Sequence, residues 1–173
     1  MIPDFTNIEY LKSGNTKQRA AYKVLTENRI LETLQEYDPV LVGTIPININ
    51  VESSDLDILC YTNDLKVFEN FVVKEFGDMD EFIIWERGEG EFKAVVASFK
   101  LDGFDIEIFG QNIPTKKQQA YRHMIVEHRL LEEKGEEFRR KVIALKQMGY
   151  KTEPAFAKLM GLEGDPYMAL LNL

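Results

Sequence analysis

Residues 40–61 read VLVGTIPININVESSDLDILCY, and two short stretches inside them decide the fold. Residues 40–44 (VLVGT) are a brief apolar run ending in Gly43-Thr44, the pattern of a buried strand feeding a turn. Residues 55–61 (DLDILCY) alternate acidic and apolar side chains, which is the period of a strand with two unlike faces. Asp55 and Asp57 then share one face, and Leu56, Ile58 and Cys60 share the other, packed under helices. Residues 45–54 alternate like an extended segment, but Pro46 argues against a central strand there.

Upstream, Asn15 and Gln18 form a capping-box pattern that opens a helix running to about Tyr37, with Ala21, Val24, Leu31 and Leu34 on one face. Asp38-Pro39 stops it. Downstream, Asn63 or Asp64 caps a helix whose Leu65, Phe68, Val72 and Phe76 form one stripe and which ends at Gly77. Three strands follow, at 81–87, 92–101 and 104–109, with Asp102-Gly103 as a two-residue hairpin turn between the last two. From Thr115, paired with Gln118 in a second capping-box pattern, the chain is helical to about Lys134 and again over 136–148. Short helices occupy 153–160 and 166–172, the second with Asp165 as N-cap and Pro166 at its first position. This order predicts an α/β (α+β) architecture: a mixed sheet flanked by helices, with a C-terminal helical extension. The expected division is a core over residues 1–113, with the helices of 114–173 packed on it as one compact domain.

Composition narrows the function classes. The chain has 173 residues, a net charge of −8 and 45% hydrophobic residues, enough for a sizeable core without staples. Its one cysteine, Cys60, excludes an intramolecular disulfide framework and a multi-cysteine zinc site. No apolar run has membrane-spanning length and the N-terminus lacks a basic-then-apolar leader, so a cytoplasmic protein is expected. The acidic balance argues against binding to long nucleic acid. The charge is uneven: residues 1–110 hold 10 basic and 21 acidic side chains, net −11, and residues 111–173 hold 11 and 8, net +3.

Residues 104–108 (FDIEI) repeat the acidic alternation on a later strand, placing Asp105 and Glu107 on one face. If this strand neighbours the one at 55–61, three or four carboxylates converge on one patch. Such a patch repels itself unless a cation intervenes, and hard oxygen ligands suit Mg²⁺ or Mn²⁺. A Gly43-Thr44 turn lets backbone amides approach a phosphate, with the Thr44 hydroxyl as a further donor. Gln118, Arg122 and Arg129 share a helix face from which an arginine reaches phosphate, although a solvated face is the ordinary role of such a set. His123 and Glu127, four apart, read as a local pair, His128 as a partly buried structural residue, and Arg139, Arg140 and Lys141 as a solvated helix stretch.

These stretches together resemble the nucleotidyltransferase superfamily, the polymerase-beta-like fold. Its pattern is a hydrophobic residue, glycine and a small residue, a gap, an acidic–hydrophobic–acidic–hydrophobic run, and a third carboxylate on a later strand. Here it reads Val42-Gly43-Thr44, ten intervening residues, then Asp55-Leu56-Asp57-Ile58, over a region of roughly 16–110. LVGTIPI, SDLDILC, EIFGQNIP and QAYRHMIVEHRLL further resemble an uncharacterised bacterial domain-of-unknown-function family placed in that superfamily. The resemblance implies transfer of a nucleotidyl group from a nucleoside triphosphate to a small acceptor. Asp55, Asp57 and Glu107 would be the catalytic and metal-binding carboxylates, with Asp105 as the alternative third. Gly43, Thr44, Ser54 and Arg122 would bind the nucleotide, and the cofactor would be Mg²⁺ or Mn²⁺. Two departures stand out: Thr44 replaces the usual Gly or Ser, and Pro46 with alternating Ile and Asn lies where many members start a helix. The other readings are an inactive binding, regulatory or antitoxin-like protein with a protein partner, and a metal-dependent phosphohydrolase. Neither a membrane nor long nucleic acid is an expected partner.

Overall fold

The computed structural model describes residues 4–173. Five strands form one mixed sheet: β1 (Val40–Val42), β2 (Leu56–Tyr61), β3 (Asp80–Arg87), β4 (Ala94–Leu101) and β5 (Phe104–Gln111). Their order across the sheet is β1-β2-β5-β4-β3. Only β2 and β5 run parallel; the other neighbours are antiparallel. The helices are α1 (Thr16–Glu27), α2 (Ile30–Thr33), α3 (Leu65–Phe76), α4 (Gln119–Gln147), α5 (Thr152–Met160) and α6 (Pro166–Leu171).

The strand alternation sorts the core into two layers. Leu56, Ile58, Cys60, Ile106 and Ile108 bury against Ala21, Val24 and Leu25 of α1 and Phe68, Val72 and Phe76 of α3. On the opposite face Val40, Val42 and Leu59 bury against Met124, Leu131, Val142, Phe156 and Leu170 from α4, α5 and α6. The expected mixed sheet between helices is therefore the observed architecture. Asp64 caps α3 by accepting from the amides of Lys66 and Val67, and Asp102 (φ 48°) and Gly103 (φ 82°) both take the positive φ of the hairpin turn. Gly110 on β5 faces Phe68: a Cβ there would lie 2.1 Å from the ring.

Three local expectations are corrected. The first helix does not run to Tyr37. It stops at Glu27, where Asn28 Nδ2 donates back to the Val24 carbonyl and across to Asp102 Oδ2, and Arg29 turns left-handed (φ 53°). The strand opening at Val40 ends at Val42 and feeds the turn at Gly43, as expected. Residues 45–54 are turns and not an extended segment: the Ile49 amide donates to the Thr44 carbonyl, and Asn48 takes φ 59°. Their alternation reflects burial of Ile45, Ile47 and Ile49 without sheet pairing. Finally, Thr115 caps no helix; it sits in a 3-10 turn and its hydroxyl donates to Asp38 Oδ2, and α4 starts at Gln119. The break expected near Lys134 is present inside α4, at Gly135 with φ 76° and ψ −171°.

Candidate active site

The parallel pairing of β2 with β5 sets Asp57 directly beside Glu107. Val42 of β1 flanks Asp57 on the other side, and Ser98 of β4 flanks Glu107. Asp55 precedes β2 by one residue. The charge of Asp55 reaches both strand carboxylates. Burial, then the charges of Asp55 and Glu107, push the Asp57 carboxyl up to about 8. Burial and Asp55 likewise raise Glu107. Asp105 stands one pleat away on the exposed part of β5, opposite Lys100, and its charge acts on Lys100.

Gly43 is the reason Asp57 fits. At φ +87° it adopts a conformation that side chains rarely allow, and a Cβ on it would lie 2.8 Å from Asp57 Oδ2. The glycine turn and the carboxylate are thus in immediate contact. Next to it, the hydroxyls of Thr44 and Ser54 lie 3.0 Å apart, and Ser54 Oγ accepts from the Val51 amide at 2.9 Å. The hydroxyl pair shares one proton between its members, so one O–H is left to donate to a ligand.

The turn is braced from two sides. From α1, Gln18 Nε2 donates to the Ile45 carbonyl at 2.8 Å, Asn15 Nδ2 to Asn48 Oδ1 and Asn50 Oδ1, and Lys17 to the Glu52 carbonyl. From α4, Arg139 Nη1 donates to the Ile47 carbonyl at 2.5 Å. Arg139 is 9% exposed, which overturns its reading as part of a solvated stretch: its guanidinium satisfies loop carbonyls that have no strand partner. Gln118 is also structural, with Nε2 donating to the carbonyls of Cys60 and Ile113. His128 is buried edge-on against Phe5, as expected of a structural histidine.

Two cations act on the carboxylates, and neither stood out in the sequence. Lys146, near the end of α4, lowers Asp57, and Arg87, at the end of β3, lowers Glu107. Burial depresses Lys146 itself, against the raising charges of Glu127, Glu153, Asp55 and Asp57. Arg122 is exposed on α4 and its charge acts on His123. No local pattern marks a lone lysine or a strand-end arginine; only the tertiary fold brings them here.

Asp55, just before β2, Asp57 on β2 and Glu107 on β5 offer oxygen donors only, with self-repulsion that raises Asp57 and Glu107. That donor chemistry fits a hard divalent cation such as Mg²⁺ or Mn²⁺.

Comparison with known proteins agrees with this geometry at the level of fold. A family model described as "Domain of unknown function (DUF4269)" matches residues 23–173. No curated protein matches the chain in sequence. Among solved structures, the Cid1 poly(U) polymerase with MgGTP bound aligns with a TM-score of 0.53 and 14% identity, covering 84% of this chain and 42% of that one. The GLD-2/RNP-8 complex aligns with a TM-score of 0.54 and 13% identity, covering 87% and 62%. The polymerase core of TRAMP, an RNA surveillance complex, aligns with a TM-score of 0.52 and 12% identity, covering 94% and 50%. The chain thus has the polymerase-beta-like nucleotidyltransferase fold, and it spans 42% to 62% of the length of these three structures. No helix among the described residues is long and apolar enough to cross a membrane.

Proposed function

Since the chain belongs to the DUF4269 family and has a nucleotidyltransferase-like fold, we propose that it is a metal-dependent nucleotidyltransferase, moving a nucleotidyl group from a nucleoside triphosphate to a small acceptor. The observation that carries this reading is the Asp57–Glu107 pairing with Gly43 against Asp57. Asp55, Asp57 and Glu107 would hold Mg²⁺ or Mn²⁺, which supplies charge neutralisation at the triphosphate and at the attacking oxygen. Gly43 and Thr44 present an amide-lined turn and one hydroxyl proton to the phosphates, with Ser54 fixing the hydroxyl. Arg122 is the exposed helix arginine from which a further phosphate contact would come.

In the proposed reaction an acceptor oxygen bonds to the α-phosphorus, and the bond from that phosphorus to the oxygen leading to the β-phosphate breaks. Pyrophosphate leaves with the electron pair. Glu107, beside the attacking oxygen, takes the acceptor proton. A compact acceptor is favoured because the first 110 residues carry a net charge of −11, a surface that repels a polynucleotide track. Cid1 is described as having RNA terminal uridylyl transferase activity and TRAMP as an RNA surveillance complex, so this is where the chain is expected to differ from them.

The charges of Asp55 and Asp57 acting on Lys146 favour a second reading, in which a built-in cation replaces the metal and the protein binds nucleotide without transferring it. A panel of nucleoside triphosphates with Mg²⁺ or Mn²⁺ separates the two. Transfer predicts pyrophosphate release that is lost in Asp55→Asn and Asp57→Asn. Binding alone predicts a thermal shift without turnover. Hydrolysis to free nucleotide, with no acceptor adduct, would point to a phosphohydrolase. If wild type gives neither shift nor turnover, the proposal fails.

A further inference from the structure

A second group of donors lies between α4 and α5. His123 and Glu127 are four apart on α4 and so stand on one helix face, and Glu153 reaches them from α5. One ligand atom from each of the three lies within 4.8 Å of the others. The site is built into the interior: His123 is 6% exposed and Glu127 is 3% exposed. Nδ1 of His123 is buried with no hydrogen-bond partner, an unusual state for a polar atom at this depth. Lys146 donates to Thr152 Oγ1 at 2.9 Å and its charge lowers Glu127 without making an ion pair, and neither glutamate joins an ion pair among the described residues. Tyr167 of α6 packs edge-on to the imidazole, with ring centroids 6.0 Å apart.

We propose that His123, Glu127 and Glu153 form a metal site distinct from the Asp55–Asp57–Glu107 cluster, for a first-row divalent transition metal. One imidazole nitrogen with two carboxylate oxygens is a mixed set that suits Zn²⁺ or its neighbours better than Mg²⁺, which takes oxygen alone. Two carboxylates balance the charge of such an ion. Bonds of ~2.0–2.2 Å in a tetrahedral site hold ligand atoms about 3.5 Å apart, so closure takes side-chain movements on the order of 1 Å. The ion would tie α4 to α5 beside Lys146 and leave a fourth position open to water.

The test uses the full chain, stripped with chelator, and Zn²⁺ titrated by calorimetry. The background is the double variant Asp55→Asn with Asp57→Asn, which removes carboxylates of the first cluster. It is expected to bind one equivalent of Zn²⁺. Adding His123→Gln or, at the half-buried position, Glu153→Gln is expected to weaken binding at least tenfold, and X-ray absorption should report a nitrogen ligand that His123→Gln removes. Circular dichroism checks that each variant is folded. No zinc bound by the folded double variant, or zinc bound equally after both added substitutions, overturns the proposal.

Discussion

Gly43 and Asp57 touch across the β1–β2 pair: the position of a Cβ on Gly43 lies 2.8 Å from Asp57 Oδ2. The turn that would cradle a phosphate and the carboxylate that would hold the cation are therefore one packing unit. Gly43→Ala meets both the positive φ and the carboxylate. It is expected to cost about 1–3 kcal/mol of stability and to abolish the nucleotide-dependent thermal shift. Differential scanning fluorimetry with and without nucleotide and Mg²⁺ reads both effects, and a wild-type response in Gly43→Ala would rule out this role for the turn.

Asp57 should make stability pH-dependent in the metal-free protein. Its carboxyl titrates at about 8 when folded and near its ordinary value when unfolded. Between those values the folded state binds the extra proton, so this contribution is full below pH ~4 and is lost as pH rises through about 8. Asp57→Asn stays uncharged. In chelator, the stability of wild type relative to Asp57→Asn is expected to fall from pH 5 to pH 8.5 in urea titrations. A difference that stays flat or rises contradicts the buried, repelled carboxyl.

Arg139 braces the turn through the Ile47 carbonyl, from 92 residues away in the chain. Arg139→Met leaves the buried carbonyl without its donor and is expected to destabilise by about 1–3 kcal/mol. The nucleotide response should weaken as well, because the loop loses one of its two braces. Arg140→Met, on the exposed side, serves as the control and should change stability by less than about 0.5 kcal/mol.

Gly110→Ala tests the packing of α3 on β5. The added methyl meets the Phe68 ring at 2.1 Å, and Phe68 is fully buried. Overpacking of this kind costs about 1–3 kcal/mol. Gly110→Ala with Phe68→Leu should recover part of the loss in a chemical-denaturation double-mutant cycle. Strict additivity would show that the two positions do not meet.

Cys60 lies fully buried on the inner face of β2, and burial pushes its thiol well above the usual range. A thiol reagent is expected to leave it unlabelled in the native protein and to label one equivalent in urea. Rapid native labelling would contradict the strand's orientation and, with it, the placement of Asp57 on the opposite face.

The sequence carries the strand faces well, because a period of two is local. Asp55 and Asp57 opposite Leu56, Ile58 and Cys60 followed from alternation alone, and so did Glu107 opposite Ile106 and Ile108. The Asp102-Gly103 hairpin and the Asp165-Pro166 helix start were legible for the same reason. The turn at 45–54 was not, since Ile45, Ile47 and Ile49 alternate through burial in two different layers. Arg139 read as solvated because the carbonyls it satisfies lie far away in the chain. Lys146 and Glu153 reach their sites only through the kink at Gly135 and the packing of α5 on α4, and neither leaves a trace in local spacing.

The parallel pairing of β2 and β5 has a consequence for the order in which the molecule assembles. Some fifty residues separate Asp57 from Glu107, and they include α3, β3 and the whole of β4. The β4–β5 hairpin can close locally, but β2 must join it across a long loop, the kind of contact whose entropy is met late in folding. A chain halted before that step would hold its acidic residues apart, each hydrated and at its ordinary acidity. The proposed chemistry would then be absent from every partly folded form and would arise only with the final closure of the sheet.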